Sequence, residues 1–139
     1  MVDQNCAYCM EGELVAKFGI KICELETSKV YLFKEQSHPG RCIVAHKKHV
    51  GDMNELTAEE RAAYFEDVAR VARAIMKVFN PDKVNYGAYG DTGHHLHFHL
   101  CPKYKDEYEW GGVFLMNPDK KYLTDAEYAE MIEKIKANL

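Results

Sequence analysis

The stretch His94-His95-Leu96-His97-Phe98-His99-Leu100-Cys101-Pro102 decides how this chain is read. Histidines alternate with large apolar residues at period two. That is the period of a β-strand, in which successive side chains point to opposite faces. His95, His97 and His99 are therefore expected on one face, with Leu96, Phe98 and Leu100 on the other, against a core. Pro102 is expected to end the strand, because it has no N–H to give to a ladder. A single histidine is usually explained by one hydrogen bond in a core or on a surface. Three that share a direction point to chemistry instead.

Working outward, Gly90-Asp91-Thr92-Gly93 reads as a turn, and Lys83 to Tyr89 before it as a strand. A hairpin of this kind makes the two strands antiparallel neighbours. Further upstream, Thr57-Ala58-Glu59-Glu60 is a capping box that opens a helix running to about Phe79, where Asn80-Pro81 stops it. Phe65, Val68, Ala72, Ile75 and Phe79 form its apolar stripe, read as core, with Glu66 and Asp67 off it. The apolar runs Ile20–Leu25, Val30–Phe33 and Arg41–His46 read as strands, separated by Thr27-Ser28-Lys29 and by a loop with Pro39-Gly40 as its turn signal. Downstream of Pro102 the chain turns polar and aromatic, and Gly111-Gly112 breaks it. Thr124-Asp125-Ala126-Glu127 then opens a second helix with Tyr128, Met131, Ile132 and Ile135 on its apolar side. The pattern predicts an α+β domain: an antiparallel sheet of about five strands, one long helix and a C-terminal helix. A single domain over 1–139 is expected, with a core over 6–102 and an extension over 103–139.

Composition limits the function classes. A chain of 139 residues can bury a core without staples. Its formal charge of −4 argues against a broad surface for long nucleic acid, though not against a local cationic pocket for a small phosphate compound. No apolar run is long enough to span a bilayer, and the start Met-Val-Asp-Gln-Asn-Cys does not read as a secretory signal. Five cysteines without a secretory context argue against a disulfide framework and for a reducing, cytoplasmic setting.

Cys6-Ala7-Tyr8-Cys9 has three readings: a redox pair, half of a zinc site, or two inert thiols. A redox pair usually opens a helix after a strand, and no strand precedes this one. No second Cys-x-x-Cys follows, so a zinc would need two further ligands, with histidine the natural type.

The histidine stretch resembles the signature of the histidine triad (HIT) superfamily, His-φ-His-φ-His-φ-φ with φ apolar, at every position. Gly40 to His49, with its Lys47-Lys48 turn, is similar to that family's central strand, and Asn85-Tyr86-Gly87 and Thr92 fall in the expected order. Cys6-x-x-Cys9 resembles an N-terminal pair found in several branches. The resemblance spans Cys6 to Pro102. Arg41, His46 and Asp91 depart from it: many members carry histidine, proline and glutamine there. These departures blur the branch and leave the triad untouched.

The resemblance implies a HIT-like fold and a hydrolase or nucleotidyl transferase acting at an α-phosphate. The substrates would be of the purine nucleoside phosphoramidate or dinucleoside polyphosphate class. It implies His97 as nucleophile, His99 as donor to a phosphate oxygen, and Thr92 beside the leaving group. Asn85 is a candidate for a phosphate oxygen and Glu35 for a ribose. Neutral imidazole suits the role, because its ordinary pKa of about 6.5 leaves much of it unprotonated at pH 7. The resemblance further implies a structural zinc on Cys6, Cys9, His49 and His95, with His38, His46 and His94 as nearby alternatives, and no organic cofactor. It implies a homodimer through the long helix and a neighbouring strand, for which Tyr64 and Val71 read as apolar residues to spare. Two rivals stand beside this reading. One is a metalloenzyme that uses His95, His97 and His99 as ligands, although Lys103 and Tyr104 stand where a cupin-like site wants glutamate. The other is a nucleotide-binding protein with little turnover.

Overall fold

The structure, a computed structural model, describes residues 2–139. Two short helices, α1 (Ala7–Met10) and α2 (Gly12–Ala16), lead into strands β1 (Gly19–Glu24), β2 (Ser28–Phe33) and β3 (Cys42–His46). A single 3₁₀ turn at Met53–Glu55 precedes the long helix α3 (Ala58–Phe79), followed by β4 (Lys83–Gly87), β5 (His97–Lys103) and α4 (Asp125–Ala137). The five strands form one sheet in the order β1-β2-β3-β5-β4, and every pairing is antiparallel. This is the α+β fold expected from the pattern.

The three central strands are buried on both faces, which explains why β2 and β3 read as nearly unbroken apolar runs. On one face Val30, Leu32, Val44, Phe98 and Leu100 pack against α3 and α4. On the other, Tyr31, Phe33, Ile43 and Ala45 pack against Tyr8 and Val15 of the N-terminal segment. Each such aliphatic side chain, fully removed from water, contributes roughly 1.5–3 kcal/mol. Register then places the histidines. Ala45 stands opposite His97 and Ile43 opposite His99, whereas Val44 stands opposite Phe98. His97 and His99 therefore share the face of the N-terminal segment, and Phe98 and Leu100 face the helices.

Both capping boxes form. The Thr57 and Thr124 side chains accept from the Glu60 and Glu127 amides, and both glutamates reach back to the cap. Asn80 ends α3 in the left-handed region at φ 47°, a conformation that asparagine tolerates.

Several expectations shift. Pro102 does not end the strand: β5 continues to Lys103, and Pro102 pairs with Val84. The Lys103 carbonyl accepts from Asp82 beside β4, so Pro102, one residue earlier, turns to the opposite side. There β3 has already run out, its pairing ending at Leu100, so the missing N–H has no acceptor to fail. At the other end β5 starts at His97, and His95 lies in the approach, tied down by its amide to the Gly93 carbonyl at 2.7 Å. β4 stops at Gly87, short of Tyr89. On α3 Val68, Ala72 and Ile75 are core as expected and Phe79 packs at its edge, but Phe65 is 39% exposed, while Tyr64 and Val71 are fully buried in the chain's own core. They are not spare surface. Asp67 is buried as well, where its carboxylate accepts from the Thr27 amide and from the Thr27 and Ser28 hydroxyls at 2.7–2.9 Å.

Candidate active site

His95, His97 and His99 line a cleft of about 540 Å³ on the face opposite α3. That volume lies in the ordinary range for a small-molecule site. Thr92, exposed at the turn before the row, borders it, as do Tyr8 from α1 and Met116 and Asn117 from the C-terminal segment.

His97 is 8% exposed. Its Nδ1 donates to the His95 carbonyl at 2.7 Å, which fixes the proton on that nitrogen. Nε2 then carries the free lone pair. Burial holds the ring below the usual histidine pKa, only partly opposed by the bond to the carbonyl, so the neutral form is favoured. His99 is arranged the other way round. An Arg41 guanidinium nitrogen donates to its Nδ1 at 3.0 Å. A neutral His99 therefore has its proton on Nε2. Burial, then Arg41, then His97 push its pKa down to about 3. The row thus offers a nucleophile and a donor from neighbouring rings, with centroids 5.4 Å apart.

His95 looks away from this chemistry. Its Nε2 donates to the His46 carbonyl at 2.6 Å, which frees Nδ1. Nδ1 lies 3.3 Å from Cys6 Sγ, 3.7 Å from Cys9 Sγ and 3.1 Å from His49 Nδ1, and Cys9 Sγ lies 3.2 Å from His49 Nδ1. All four ligand atoms fall within 4.8 Å of one another. A tetrahedral zinc with bonds of roughly 2.0–2.3 Å to nitrogen and sulfur sets edges of about 3.3–3.8 Å, so the donor set and its spacing fit that ion. The His46 carbonyl on the far nitrogen of His95 is the outer partner a metal-bound imidazole usually has. Cys6 and Cys9 are free thiols. His38, His46 and His94 are not in the group: His38 pairs with Glu109 at 2.6 Å, and His46 accepts from the Lys48 amide at 2.9 Å. Among the described residues, the grouping takes only His95 from the histidine row, and His97 and His99 are not part of it.

Asn85 and Glu35 are not brought to the cleft. Asn85 is half-buried on β4 opposite Cys101 and does not line the cavity. Glu35 is 2% exposed, and its oxygens accept from the Ser37 amide and hydroxyl and from the Lys120 and Lys121 amides at 2.6–3.0 Å. Its work is to anchor the C-terminal segment.

Three features were not found in the sequence. Tyr8, inside the Cys-x-x-Cys turn, lies over His95 and His97 with ring centroids at 5.3 and 5.0 Å. The extension, set apart as a tail, forms part of the cleft wall. Arg41, noted as a departure, is fully buried against His99. A charged residue opening the otherwise apolar strand Cys42–Ala45 was the available signal.

Comparison with known proteins agrees with this fold. The curated relatives include the protein called Protein hit of Bacillus subtilis, 28% identical over 84% of this chain and 83% of its own length. They also include the adenosine 5'-monophosphoramidase hnt1 of Schizosaccharomyces pombe, 27% identical over 77% of this chain and 80% of the relative. Among solved structures, a histidine triad protein of Sinorhizobium meliloti superposes with a TM-score of 0.84 at 22% identity, covering 92% of this chain and 95% of that one. A zinc-bound histidine triad protein of Mycobacterium smegmatis superposes at 0.68 and 22% identity, covering 96% and 91%. The family pattern described as HIT domain matches residues 19–106, the whole of the sheet and all of the histidine row, and the chain belongs to the HIT domain family.

Proposed function

We propose that the protein is a hydrolase or nucleotidyl transferase that works at the α-phosphate of a nucleotide through a nucleotidyl-histidine on His97. The observation that carries this is the pair of opposed tautomers: His97 holds its proton away from the cleft, and His99 holds its proton toward it. In the first step His97 Nε2 attacks phosphorus, a P–N bond forms, and the bond from phosphorus to the leaving group breaks. The leaving group departs with the electron pair, hydrogen-bonded by Thr92 at the cleft edge, and takes its proton from solvent. His99 Nε2–H donates to a phosphoryl oxygen as charge develops. Water or another acceptor then attacks phosphorus, and the P–N bond breaks. The activity named for the fission yeast relative supports a nucleoside phosphoramidate as substrate, and dinucleoside polyphosphates share the same reacting phosphate.

A structural zinc on Cys6, Cys9, His49 and His95 belongs to this reading. Four protein ligands leave no open position for water, so the ion would hold the N-terminal segment against the row and supply no step of the reaction. We also read the active form as a homodimer through α3, where Phe65 and Met76 stand exposed about three turns apart on one line of the helix. A monomeric mass at micromolar concentration would remove that part.

The test is acid-quenched mass spectrometry after mixing with adenosine 5'-phosphoramidate or diadenosine polyphosphate. An adenylyl adduct mapped to His97 is the expected result. Nucleotide binding with neither adduct nor product would favour the binding-protein reading instead.

A further inference from the structure

Arg41 is a cation in the wrong place for a purely structural residue. It is fully buried, and among the described residues no carboxylate lies within ion-pair distance of it. Taking a charge out of water without an opposite charge is costly. The terminal guanidinium nitrogens instead meet neutral groups, while Nε is buried without a hydrogen-bond partner. The guanidinium donates to the Leu115 carbonyl at 3.0 Å, to the Met116 carbonyl at 2.9 Å and to His99 Nδ1 at 3.0 Å. Its carbon lies 4.1 Å from the centre of the Phe33 ring and 4.7 Å from that of Phe114, so the plane is held between two aromatic faces. Phe114 in turn closes onto the sheet over Gly87, where an added Cβ would come within 2.9 Å of the ring.

A neutral amide at this position can also hold two carbonyls. What arginine adds over an amide or a histidine is one-way hydrogen bonding: it donates and never accepts, because it does not deprotonate. A histidine facing a histidine can settle in either tautomer. A histidine facing arginine must present a lone pair. The cation also disfavours a second proton on the ring, in keeping with the depressed pKa of His99. The same group that orients His99 grips the segment carrying Met116 and Asn117 into the cleft wall.

We propose that Arg41 is a positioning residue that locks His99 as the Nε2–H tautomer and couples that lock to the seating of residues 114–117 over the cleft. The catalytic consequence rests on the reaction proposed above; the tautomer and the seating do not.

The experiment uses the full chain and three variants, Arg41→Met, Arg41→Lys and Arg41→His. Long-range ¹⁵N–¹H spectra report the tautomer of His99, and hydrogen exchange reports the amides of residues 114–117, both without substrate. In the wild type, Nδ1 of His99 should show the shift of an unprotonated acceptor. Arg41→Met should give mixed tautomers, at least about tenfold faster exchange in 114–117, and kcat on adenosine 5'-phosphoramidate lower by about 10- to 100-fold with a smaller change in KM. Arg41→Lys keeps a donor that cannot accept and should keep the tautomer while loosening the segment. Arg41→His should loosen the segment and lose the single tautomer. A proton on Nδ1 of His99 in the wild type overturns the proposal, and this holds even if a variant does not fold. So does a variant Arg41→Met with wild-type tautomer and wild-type kcat. A wild type that shows the expected tautomer and seating but no turnover would sink the proposed reaction and leave the structural role of Arg41 in place.

Discussion

His95 and His99 stand at the two ends of one row of histidines, and the chain secures them in opposite ways. His95 is turned outward into a nest of two thiols and a second imidazole. His99 is pinned by a guanidinium and, through it, by two backbone carbonyls of the C-terminal segment. Both rings are pressed toward neutrality by burial, to about 4 and about 3. Between them His97 has only the His95 carbonyl on its rear nitrogen. The difference teaches where each end is vulnerable. The first end is built from donors of the type that hold a metal, so a chelator would act there on the zinc proposed above. The second is held by the chain's own groups on the two terminal nitrogens of Arg41, so substitution or loss of the C-terminal anchor is what opens it.

The sharpest cut falls between the two ends. His97→Ala removes the nitrogen that neither end supplies and should lower turnover by about 10³-fold or more. AMP binding should stay within about tenfold of wild type, because His99 and the cleft walls remain. Steady-state kinetics beside calorimetric binding of AMP checks both. A variant that retains a tenth of wild-type turnover would take the nucleophile away from His97 and make the row a binding device.

How much of this was open to a reader of the sequence follows the same division. The nest at His95 was legible, because Cys-x-x-Cys and the period-two histidines are short-range patterns and a family resemblance supplied the pairing. The lock at His99 was not. Its partners are backbone carbonyls at Leu115 and Met116, more than 70 positions from Arg41, and a carbonyl carries no residue identity. The stripe of α3 was right except at its start, for a related reason. Periodicity alone cannot choose between Tyr64 and Phe65, whereas the Tyr64 hydroxyl donating to the buried Val44 carbonyl at 2.8 Å decides it. Asp67 lies off the apolar stripe yet is buried, and this was not legible because its three donors come from the Thr27–Ser28 turn, far off in the chain. Pro102 was misread because a strand residue's two sides are set by its neighbours, and one of them ends early.

The next cut is at the first end. Metal stripped from zinc-loaded protein by a strong chelator, or Cys9→Ser, should lower the melting temperature by about 10 °C, since a tightly bound ion stabilises the state that binds it. Hydrogen exchange should quicken over residues 6–16, including the turn that lays Tyr8 on His97, and stay unchanged over residues 114–117. A fall in protection at both ends would mean that the two are one cooperative unit and that the contrast drawn between them is false. No change in melting on chelation would remove the metal.

The smallest effect is expected from Glu35→Gln, which loosens the second end without touching the row. Glu35 is buried, and burial alone would raise its pKa, but four donated hydrogen bonds from Ser37, Lys120 and Lys121 outweigh this and leave it below the ordinary carboxylate value. A carboxyl lowered on folding stabilises the native state fully above its unfolded pKa, near 4.3, and that contribution fades as pH falls through the lower folded value. Wild type should therefore lose stability on the acid side partly through Glu35, and the glutamine variant should show a shallower acid limb. At neutral pH the variant should cost about 1–2 kcal/mol, because an amide nitrogen now faces a backbone donor that had a carboxylate. Urea unfolding at pH 7 and at pH 4, compared between the two proteins, measures both quantities. The gap should narrow at the lower pH. A gap that stays constant would place the anchor in the shape of the Glu35 loop and not in its charge, and a kcat change as large as that of Arg41→Met would show that the segment, and not the guanidinium, governs His99.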